Sequence, residues 1–423
     1  MPWHVSTKNY ISPFALVNKY FIIMENLLLG ITILSGLIWL GLLLFRGEFW
    51  LCNQSLNNNK KDHSSEPLKS YPSVCAIIPA RNEEDVISTS LNSLLAQEYL
   101  GNFSLILVND QSIDNTQKIT QEILEKNNYS HSLSIISGIP LEKGWSGKLW
   151  AVNQGINYVE KMNINPDYFL LTDADIEHDY HNLSQLIYKA ETENLALVSL
   201  MVKLRCESFW EKLLIPAFIY FFQKLYPFKW VNNYYKKMAA AAGGCILIRR
   251  DILQAIGGVS CVKDALIDDC SLAQAVKKYT QNNKENKYQG IWLGLDEKTI
   301  SLRSYNSLKT IWDMVARTAY TQLNYSFLLL IGTIVAMTLV YLIPTLGIVI
   351  GIILKSNNLI IINLVTYLLI TISYFPIIKI YKCSFIYTFT LPFIAFLYTL
   401  MTIDSALKYF QGKGGSWKGR VYG

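Results

Sequence analysis

Charged residues are scarce in this chain of 423 residues. Asp, Glu, Lys and Arg make up 17% of it, whereas hydrophobic residues make up 51%. A soluble protein of this length carries charge on about a quarter of its residues. The shortage therefore indicates membrane segments, and the length allows roughly two units, a soluble domain and a set of helices.

Features of several other protein classes are also missing. The seven cysteines contain no CxxC pair, which argues against a disulfide framework or a structural zinc site and favours a reducing, cytosolic setting. The net charge of +6 comes from scattered basic residues, so nucleic acid is not an expected partner. No Walker A motif is present, and no GxGxxG follows the first predicted strand. A kinase, an NTPase and a dinucleotide-binding protein would need such a phosphate loop.

An uncharged apolar run near the N-terminus predicts a membrane anchor. The run extends from Leu27 to Phe45, within an N-terminal segment 1–52. The rival interpretation is a cleavable signal peptide. The run is long for the apolar part of such a peptide, and Arg46 follows it in place of a small-residue cleavage site.

Long apolar runs recur near the C-terminus. Each reaches the roughly 20 residues that a membrane span needs. The three runs are 327–354, 359–378 and 385–403. Pro344 lies inside the first and could kink it. We assign 327–405 to C-terminal transmembrane helices and 406–423 to a basic tail.

Between these ends, strand and helix patterns alternate. A polar linker covers 53–72, and a domain covers 73–326. The alternation predicts an α/β fold with a mainly parallel sheet that is covered on both faces. The predicted strands are Val74–Ile78 (stopped by Pro79), Leu105–Val108, Leu133–Ile136, Tyr168–Leu171 and Cys245–Ile248. The predicted helices are 83–97, Thr116–Lys126 and one that follows Asp268–Asp269.

One segment of the domain, 209–230, is rich in aromatic residues. It also contains charged residues and two prolines, Pro216 and Pro227. It is too polar for a membrane span, so it predicts an interfacial helix or a hairpin that lies on the membrane.

An Asp-Ala-Asp triplet follows one of the predicted strands. Ligands of open parallel sheets bind outside the carboxyl ends of the strands. Asp173 and Asp175 flank a small residue at such an end, so both carboxylates can reach one Mg²⁺ or Mn²⁺. These ions prefer oxygen ligands and often bind one or two carboxylates plus phosphate oxygens. A bare triplet is common by chance, so the strand context carries this interpretation.

Three other features have two interpretations each. Asp110 follows a strand and could be a ligand-binding residue or a turn residue. Asp268–Asp269 precede a helix, where one could be the N-cap or a general base whose pKa the other raises. Gly147 and Lys148 could offer backbone amides and an ammonium group to a diphosphate.

Five motifs, in this order along the chain, resemble those of family 2 inverting glycosyltransferases with a GT-A fold. They are IIPARNEED (Ile77–Asp85), VNDQSID (Val108–Asp114), GKLWAVNQG (Gly147–Gly155), TDAD (Thr172–Asp175) and LIDDCSLA (Leu266–Ala273). The segments GWSGKLW, KLYPFKWVN, AAAAGGCILIRR, DALIDDC and ARTAYTQLNYS resemble the membrane-bound, hopanoid-associated branch. The resemblance covers residues 74–326.

The resemblance implies roles for the residues at matching positions. Those that match the part holding the nucleotide base and ribose are Ala80, Arg81, Asn82, Glu83 and Asp110. Lys148 matches a basic residue that faces the diphosphate, and Asp173 and Asp175 match the triplet that binds metal and diphosphate. Asp269 matches the acid that deprotonates the acceptor hydroxyl, and Asp268 stands where Glu is more usual.

The QxxRW motif of this family is not intact here. Gln322 is followed by Leu-Asn-Tyr, and Arg317 is the nearest upstream guanidinium. Both remain site candidates. Because processive polymer synthesis usually accompanies an intact motif, that activity is not expected.

The expected function is that of an inverting hexosyltransferase in a bacterial-type inner membrane. It would move a sugar from a nucleotide-diphosphate sugar to a hydroxyl of a lipid, with Mg²⁺ or Mn²⁺ as cofactor. The resemblance points to a hopanoid-related acceptor. The alternatives are transfer to a polyprenyl phosphate or another membrane lipid, and a non-catalytic membrane scaffold with the same fold.

The membrane topology contains a conflict. A cytosolic catalytic domain makes the N-terminus exoplasmic and places Lys379 and Lys382 inside, as the positive-inside tendency prefers. Three C-terminal spans would then leave the basic tail outside. Either one apolar run is re-entrant or interfacial, or the run 327–354 conceals two passes.

Overall fold

The computed structural model describes most of the chain. The described residues are 13–56, 68, 70–126, 131–283, 285, 287–412, 416–417 and 420–421. Much of the predicted linker 53–72 lies outside them, as do Lys413 and Lys418 of the predicted tail.

Within the described residues, eight strands form one sheet in the order β3-β2-β1-β4-β7-β6-β8-β5. The strands are β1 (Val74–Ala80), β2 (Phe103–Asn109), β3 (Ser132–Ser137), β4 (Tyr168–Thr172), β5 (Ile176–Glu177), β6 (Leu197–Leu204), β7 (Cys245–Arg249) and β8 (Ile291–Ser301). The first four are parallel, β7 is antiparallel to both neighbours, β6 and β8 are parallel, and β5 closes the edge antiparallel to β8. The predicted α/β fold with a mainly parallel sheet is confirmed.

Helices cover both faces of the sheet and continue beyond it. Those up to the end of the predicted domain 73–326 are α1 (Pro13–Phe45), α2 (Ile87–Leu95), α3 (Thr116–Glu125), α4 (Gly147–Lys161), α5 (Asn182–Thr192), α6 (Phe209–Leu225), α7 (Phe228–Val231), α8 (Arg250–Ala255), α9 (Asp268–Asn282) and α10 (Leu308–Thr318). The C-terminal helices are α11 (Phe327–Met337), α12 (Ile343–Leu354), α13 (Asn357–Ile380) and α14 (Leu391–Phe410). A short antiparallel pair, β9 (Ser416–Trp417) and β10 (Arg420–Val421), follows.

Two hydrophobic cores lie on opposite faces of the sheet because successive strand residues point to opposite sides. In β1, Cys75 and Ile77 belong to the core that includes buried residues of α4, α6 and α9. Val74, Ala76 and Ile78 belong to the core under α2 and α5. The apolar runs read from the sequence are therefore strands that are buried on both faces.

The first strand continues through Pro79 to Ala80, so the prediction that Pro79 stops it is wrong. β1 pairs with β2 as far as Ala80 but with β4 only as far as Ile77. Pro79 therefore has a strand neighbour on one side only, where a missing N–H is tolerated.

The helix predicted from residue 83 begins only at Ile87. The N–H of Glu83 donates to Thr116 Oγ1 (2.8 Å), and that of Glu84 donates to Asp114 Oδ2 (3.1 Å). These bonds tie the segment to the start of α3 as a loop, which delays the helix. Three strands, β5, β6 and β8, were not predicted at all.

The aromatic segment 209–230 forms α6 and α7, and α6 packs between the sheet domain and the C-terminal helices. The Tyr220 hydroxyl lies 2.7 Å from the Ser373 hydroxyl of α13. Tyr398 of α14 donates to the Leu214 carbonyl of α6 (3.0 Å). α6 thus joins the two parts of the protein, and its place at a membrane surface stays a prediction.

Four helical segments among the described residues are long and apolar enough to cross a membrane. They are Ile22–Phe45, Phe327–Leu354, Asn357–Ile380 and Phe385–Phe410. They coincide with the four apolar runs found in the sequence.

The kink expected near Pro344 takes the form of a π-helical turn, Thr338–Leu342, between α11 and α12. Pro344 has no N–H to donate to the carbonyl four residues earlier. That carbonyl, of Val340, instead accepts from Trp39 Nε1 of α1 (2.7 Å), and the Leu339 carbonyl accepts from Ser35 Oγ (2.8 Å). The N-terminal helix is therefore docked onto the C-terminal helices and is more than a tether.

Candidate active site

The Asp-Ala-Asp triplet lies directly after β4, at the carboxyl end of the parallel strands. Asp173 is half-buried and Asp175 is 6% exposed. Each carboxylate pairs with a cation. Lys148 Nζ lies 2.6 Å from Asp173 Oδ1, and Arg303 Nε lies 2.9 Å from Asp175 Oδ2. The charges of the triplet are therefore balanced within the protein.

Lys148 sits in the first turn of α4, where Ser146 caps the helix by accepting from the Leu149 N–H. Its ammonium approaches Gly243 so closely that a β-carbon there would lie 3.0 Å from Nζ. Burial lowers the pKa of Lys148, but the charges of Asp173, Asp268 and Asp269 outweigh burial, and the pKa is raised. Lys148 therefore stays charged between the triplet and the aspartate pair.

Asp269 lies in the first turn of α9, whose N-cap position is Ile267. Neither aspartate of the pair is therefore the N-cap residue. The Asp269 carboxylate accepts from the N–H of Gly243 (2.9 Å) and of Cys270 (2.7 Å). Burial, and then the charge of Asp268, raise the pKa of Asp269 to about 6, although Lys148 and the two N–H donors act in the opposite direction. A carboxylate with a raised pKa is a stronger general base.

The loops after β1 and β2 are tied together. Asp110 is fully buried, and its backbone N–H donates to the Ala80 carbonyl (2.8 Å). Arg81 Nη1 donates to the Asp110 carbonyl (2.7 Å) and lies 3.7 Å from its carboxylate. Asn82 Oδ1 accepts from the Ile113 N–H (2.9 Å). Asp110 is therefore a buried member of this cross-link and not an exposed turn residue.

Arg303, just after β8, joins these loops to the triplet. Its Nη2 donates to Glu83 Oε1 (3.1 Å), while Nε contacts Asp175. Burial opposes its charge, but Asp175 and Glu83 raise its pKa. Arg303 was not predicted as a site residue because no strand was predicted before it, although the apolar run 291–295 was a usable signal.

The two residues near the broken QxxRW motif are placed differently. Gln322 Oε1 accepts from the Tyr226 hydroxyl (2.7 Å). Burial raises the pKa of Tyr226, and the nearby groups of Cys270 and Asp269 raise it further. Gln322 is therefore linked to the surroundings of Asp269 through one tyrosine. Arg317 is exposed at the end of α10 and borders a groove.

This lateral groove has a volume of about 1220 Å³. It is lined by the loops 141–146 and 263–266, by α10 and by the end of α14. Arg303 and Tyr305 belong to its lining, so it opens beside the triplet. The groove thus runs from the cluster of charged residues to the C-terminal helices.

The side chains available as metal ligands decide which metal the site can accept. Within the described part of the chain, no group of three or more His, Cys, Asp or Glu side chains could hold an ion without help. Asp173 and Asp175 offer two carboxylates. They fit Mg²⁺ or Mn²⁺, which often take one or two carboxylates and complete their shell with phosphate oxygens and water.

Comparisons with known proteins agree with this arrangement. Residues 75–257 match the profile described as Glycosyl transferase family 2. The "Probable glycosyltransferase YdaM" of Bacillus subtilis (strain 168) is 29% identical over 198 residues, which are 46% of this chain and 44% of that protein. The chain thus matches less than half of that relative's length.

A solved structure confirms the fold. The mannosyltransferase PcManGT from Pyrobaculum calidifontis, in complex with GDP-Man and Mn²⁺, has a TM-score of 0.51 at 14% identity, covering 91% of this chain and 99% of that chain. The predicted GT-A-like fold is therefore confirmed. The resemblance to the hopanoid-associated branch stays a prediction.

Proposed function

We propose that the protein is an inverting glycosyltransferase that uses a nucleotide-diphosphate sugar and a divalent cation. The observation that carries the proposal is the position of Lys148. It pairs with Asp173 of the triplet, and the charges of Asp268 and Asp269 act on it as well. A group suited to donor diphosphate binding and a group suited to base catalysis therefore meet at one edge of the sheet.

The donor would bind at the triplet and the neighbouring loops. Asp173 and Asp175 would hold Mg²⁺ or Mn²⁺, which neutralises charge on the leaving diphosphate. Lys148 adds an ammonium on the same side. The cross-linked loops that contain Arg81 and Asp110 form a fixed wall on which the base and ribose can rest.

Asp269 is the proposed general base. It accepts the proton of the acceptor hydroxyl as that oxygen attacks the anomeric carbon, and the bond to the diphosphate breaks on the opposite face. The configuration inverts without a covalent sugar–enzyme intermediate. The raised pKa of Asp269 supports this role, because a base with a pKa near the working pH transfers protons most efficiently.

The proposed acceptor is a membrane lipid. The lateral groove begins beside Arg303 and ends at the last turn of α14, which belongs to one of the four long apolar segments. Near that end, Tyr325 and Tyr409 stack with ring centroids 4.5 Å apart. Aromatic rings of this kind are frequent at membrane–water interfaces. The resemblance to the hopanoid-associated branch makes a polycyclic lipid alcohol the first acceptor to try.

The proposed topology has three spans and one re-entrant segment. The apolar segment 385–410 begins next to Cys383, whose sulfur lies 3.7 Å from that of Cys206 in the sheet domain. It ends at Lys408, which lies 3.3 Å from Asp313 of α10, also in that domain. Both ends therefore lie against the catalytic domain.

The first residues of this segment lie beside the middle of α13. Tyr367, near the centre of α13, donates to the Phe389 carbonyl (2.7 Å). These contacts support a hairpin that enters the membrane and returns. The tail then lies with the catalytic domain in the cytosol, in agreement with its basic residues.

The acceptor assay tests this function. Membranes that contain the protein are incubated with labelled nucleotide sugars and Mn²⁺, and the labelled product is extracted and identified. A labelled lipid alcohol supports the proposal. A labelled polyprenyl phosphate would make that lipid the acceptor instead, and no label in any lipid would favour a non-catalytic membrane scaffold. Ala265→Trp, which adds an indole to the wall of the lateral groove, should lower lipid labelling while nucleotide binding persists.

A further inference from the structure

Asp175 is a buried carboxylate with a specific counter-ion. Its side chain is 8% exposed, and a buried charge is costly unless a partner neutralises it. Arg303 supplies the partner and simultaneously contacts Glu83. The Arg303 guanidinium therefore connects Asp175, a proposed metal ligand, to the loop after β1. The family motifs assign no role to Arg303.

The backbone on both sides of Arg303 is fixed. The Leu302 N–H donates to the Asp175 carbonyl (2.8 Å), and the Tyr305 N–H donates to Glu211 Oε1 (2.7 Å). The Arg303 side chain, in contrast, is 33% exposed and borders the lateral groove. The guanidinium can therefore leave Asp175 by side-chain rotation, without movement of the backbone of Arg303.

We propose that Arg303 is the resident counter-cation of the donor site, which a divalent cation must displace from Asp175 and which then contributes to holding the donor diphosphate. The inference rests on the proposed function. Two cations that contact one carboxylate repel each other. Binding of the metal without a nucleotide therefore breaks the ion pair between Arg303 and Asp175. A diphosphate brings new negative charge for the guanidinium. Metal and diphosphate therefore strengthen each other's binding by the same factor.

The test is a Mn²⁺ titration of the full-length protein in detergent, followed by the electron paramagnetic resonance signal of free Mn²⁺. It is run without nucleotide and with saturating UDP or GDP. Wild-type protein should bind Mn²⁺ at least about tenfold more tightly with one of the nucleotides. Arg303→Gln should bind Mn²⁺ alone about tenfold more tightly than wild type and lose most of the gain from nucleotide.

Two further variants separate this role from general damage. Glu83→Gln removes one of the two carboxylates that the Arg303 guanidinium contacts and leaves its pair with Asp175, so Mn²⁺ alone should bind no more tightly than in wild type. Arg205→Gln removes a comparable arginine–carboxylate pair, with Glu207 at the surface, and should change neither titration.

The outcomes are distinct. Unchanged or weaker binding of Mn²⁺ alone by Arg303→Gln, with normal wild-type synergy, overturns the role of Arg303 and leaves the proposed function standing. If Arg303→Gln does not fold, a Mn²⁺ affinity raised by Glu83→Gln overturns the role instead. Absence of Mn²⁺ binding by wild type with either nucleotide overturns both the role and the proposed function.

Discussion

Asp269 accepts two backbone hydrogen bonds, from the N–H groups of Gly243 and Cys270. These bonds hold its carboxylate in position. Asn at this position keeps the shape but cannot accept the proton. We expect Asp269→Asn to lower kcat roughly 10²–10⁴-fold. The dissociation constant for nucleotide should stay within a few-fold, because the residue does not belong to the triplet. Steady-state kinetics and calorimetry measure the two quantities.

Glu193→Gln is the matched control, since it removes an exposed carboxylate at the end of α5 that pairs with Lys189, one turn earlier. It should keep wild-type kcat. A wild-type kcat in Asp269→Asn would remove Asp269 from the role of base.

The raised pKa of Asp269 sets the expected pH dependence. The base must be deprotonated, so kcat/KM should be constant above about pH 7 and fall about tenfold per unit below a pKa of about 6. The charge of Asp268 is one cause of the raised pKa, so Asp268→Asn should move the inflection to lower pH. An inflection that stays in place in this variant would assign it to another group.

At the residue scale, local patterns predicted most of the charged cluster. Asp173, Lys148 and Asp269 each stand at the end of a strand or the start of a helix, and a parallel sheet gathers such positions at one edge. Arg303 could not be found in this way. Its partner Glu83 lies 220 residues away, and no local periodicity encodes that contact.

The helix pair α12–α13 depends on glycine. A β-carbon at Gly351 would lie 3.0 Å from the backbone nitrogen of Ile360, and one at Gly347 would collide with Asn363. Small residues at such spacing let helix backbones approach closely in a membrane. Gly351→Leu should therefore separate the helices and destabilise the protein by roughly 1–3 kcal/mol.

Gly332→Leu in α11 provides the control, because, apart from its chain neighbours and the backbone of its own helix, no atom of the described residues lies within 4 Å of a β-carbon at that position. Thermal unfolding in detergent should show a lower Tm for Gly351→Leu and little change for Gly332→Leu. Equal Tm values for both variants would contradict close packing of α12 against α13.

At the element scale, the long helices and the parallel strands were predictable, and the rest of the sheet was less so. β6 is a nearly continuous apolar run, which periodicity cannot distinguish from a buried helix segment. The π-helical turn before Pro344 depends on Trp39 and Ser35 of a distant helix, so only the presence of a kink could be expected.

For the whole molecule, the proposed re-entrant course of segment 385–410 would remove the conflict between a cytosolic domain and a basic tail. Its two ends contact the sheet domain, beside Cys206 and beside Asp313, as a return to the same side requires. The sequence offered this as one of two alternatives, because length and hydropathy do not distinguish a span from a hairpin of the same length.

Cysteine labelling tests the proposed topology. Asn358→Cys places a thiol at the start of α13, and Gln411→Cys places one just after α14, each with the exposed Cys261 replaced by Ser. An impermeant maleimide should label Asn358→Cys in intact spheroplasts and Gln411→Cys only after lysis, because in the proposed topology α11–α12 and α13 cross the membrane and segment 385–410 does not. Labelling of both from outside would make the last segment a span. It would also separate the tail from the Asp313 side of the lateral groove, which is incompatible with the contact between Lys408 and Asp313.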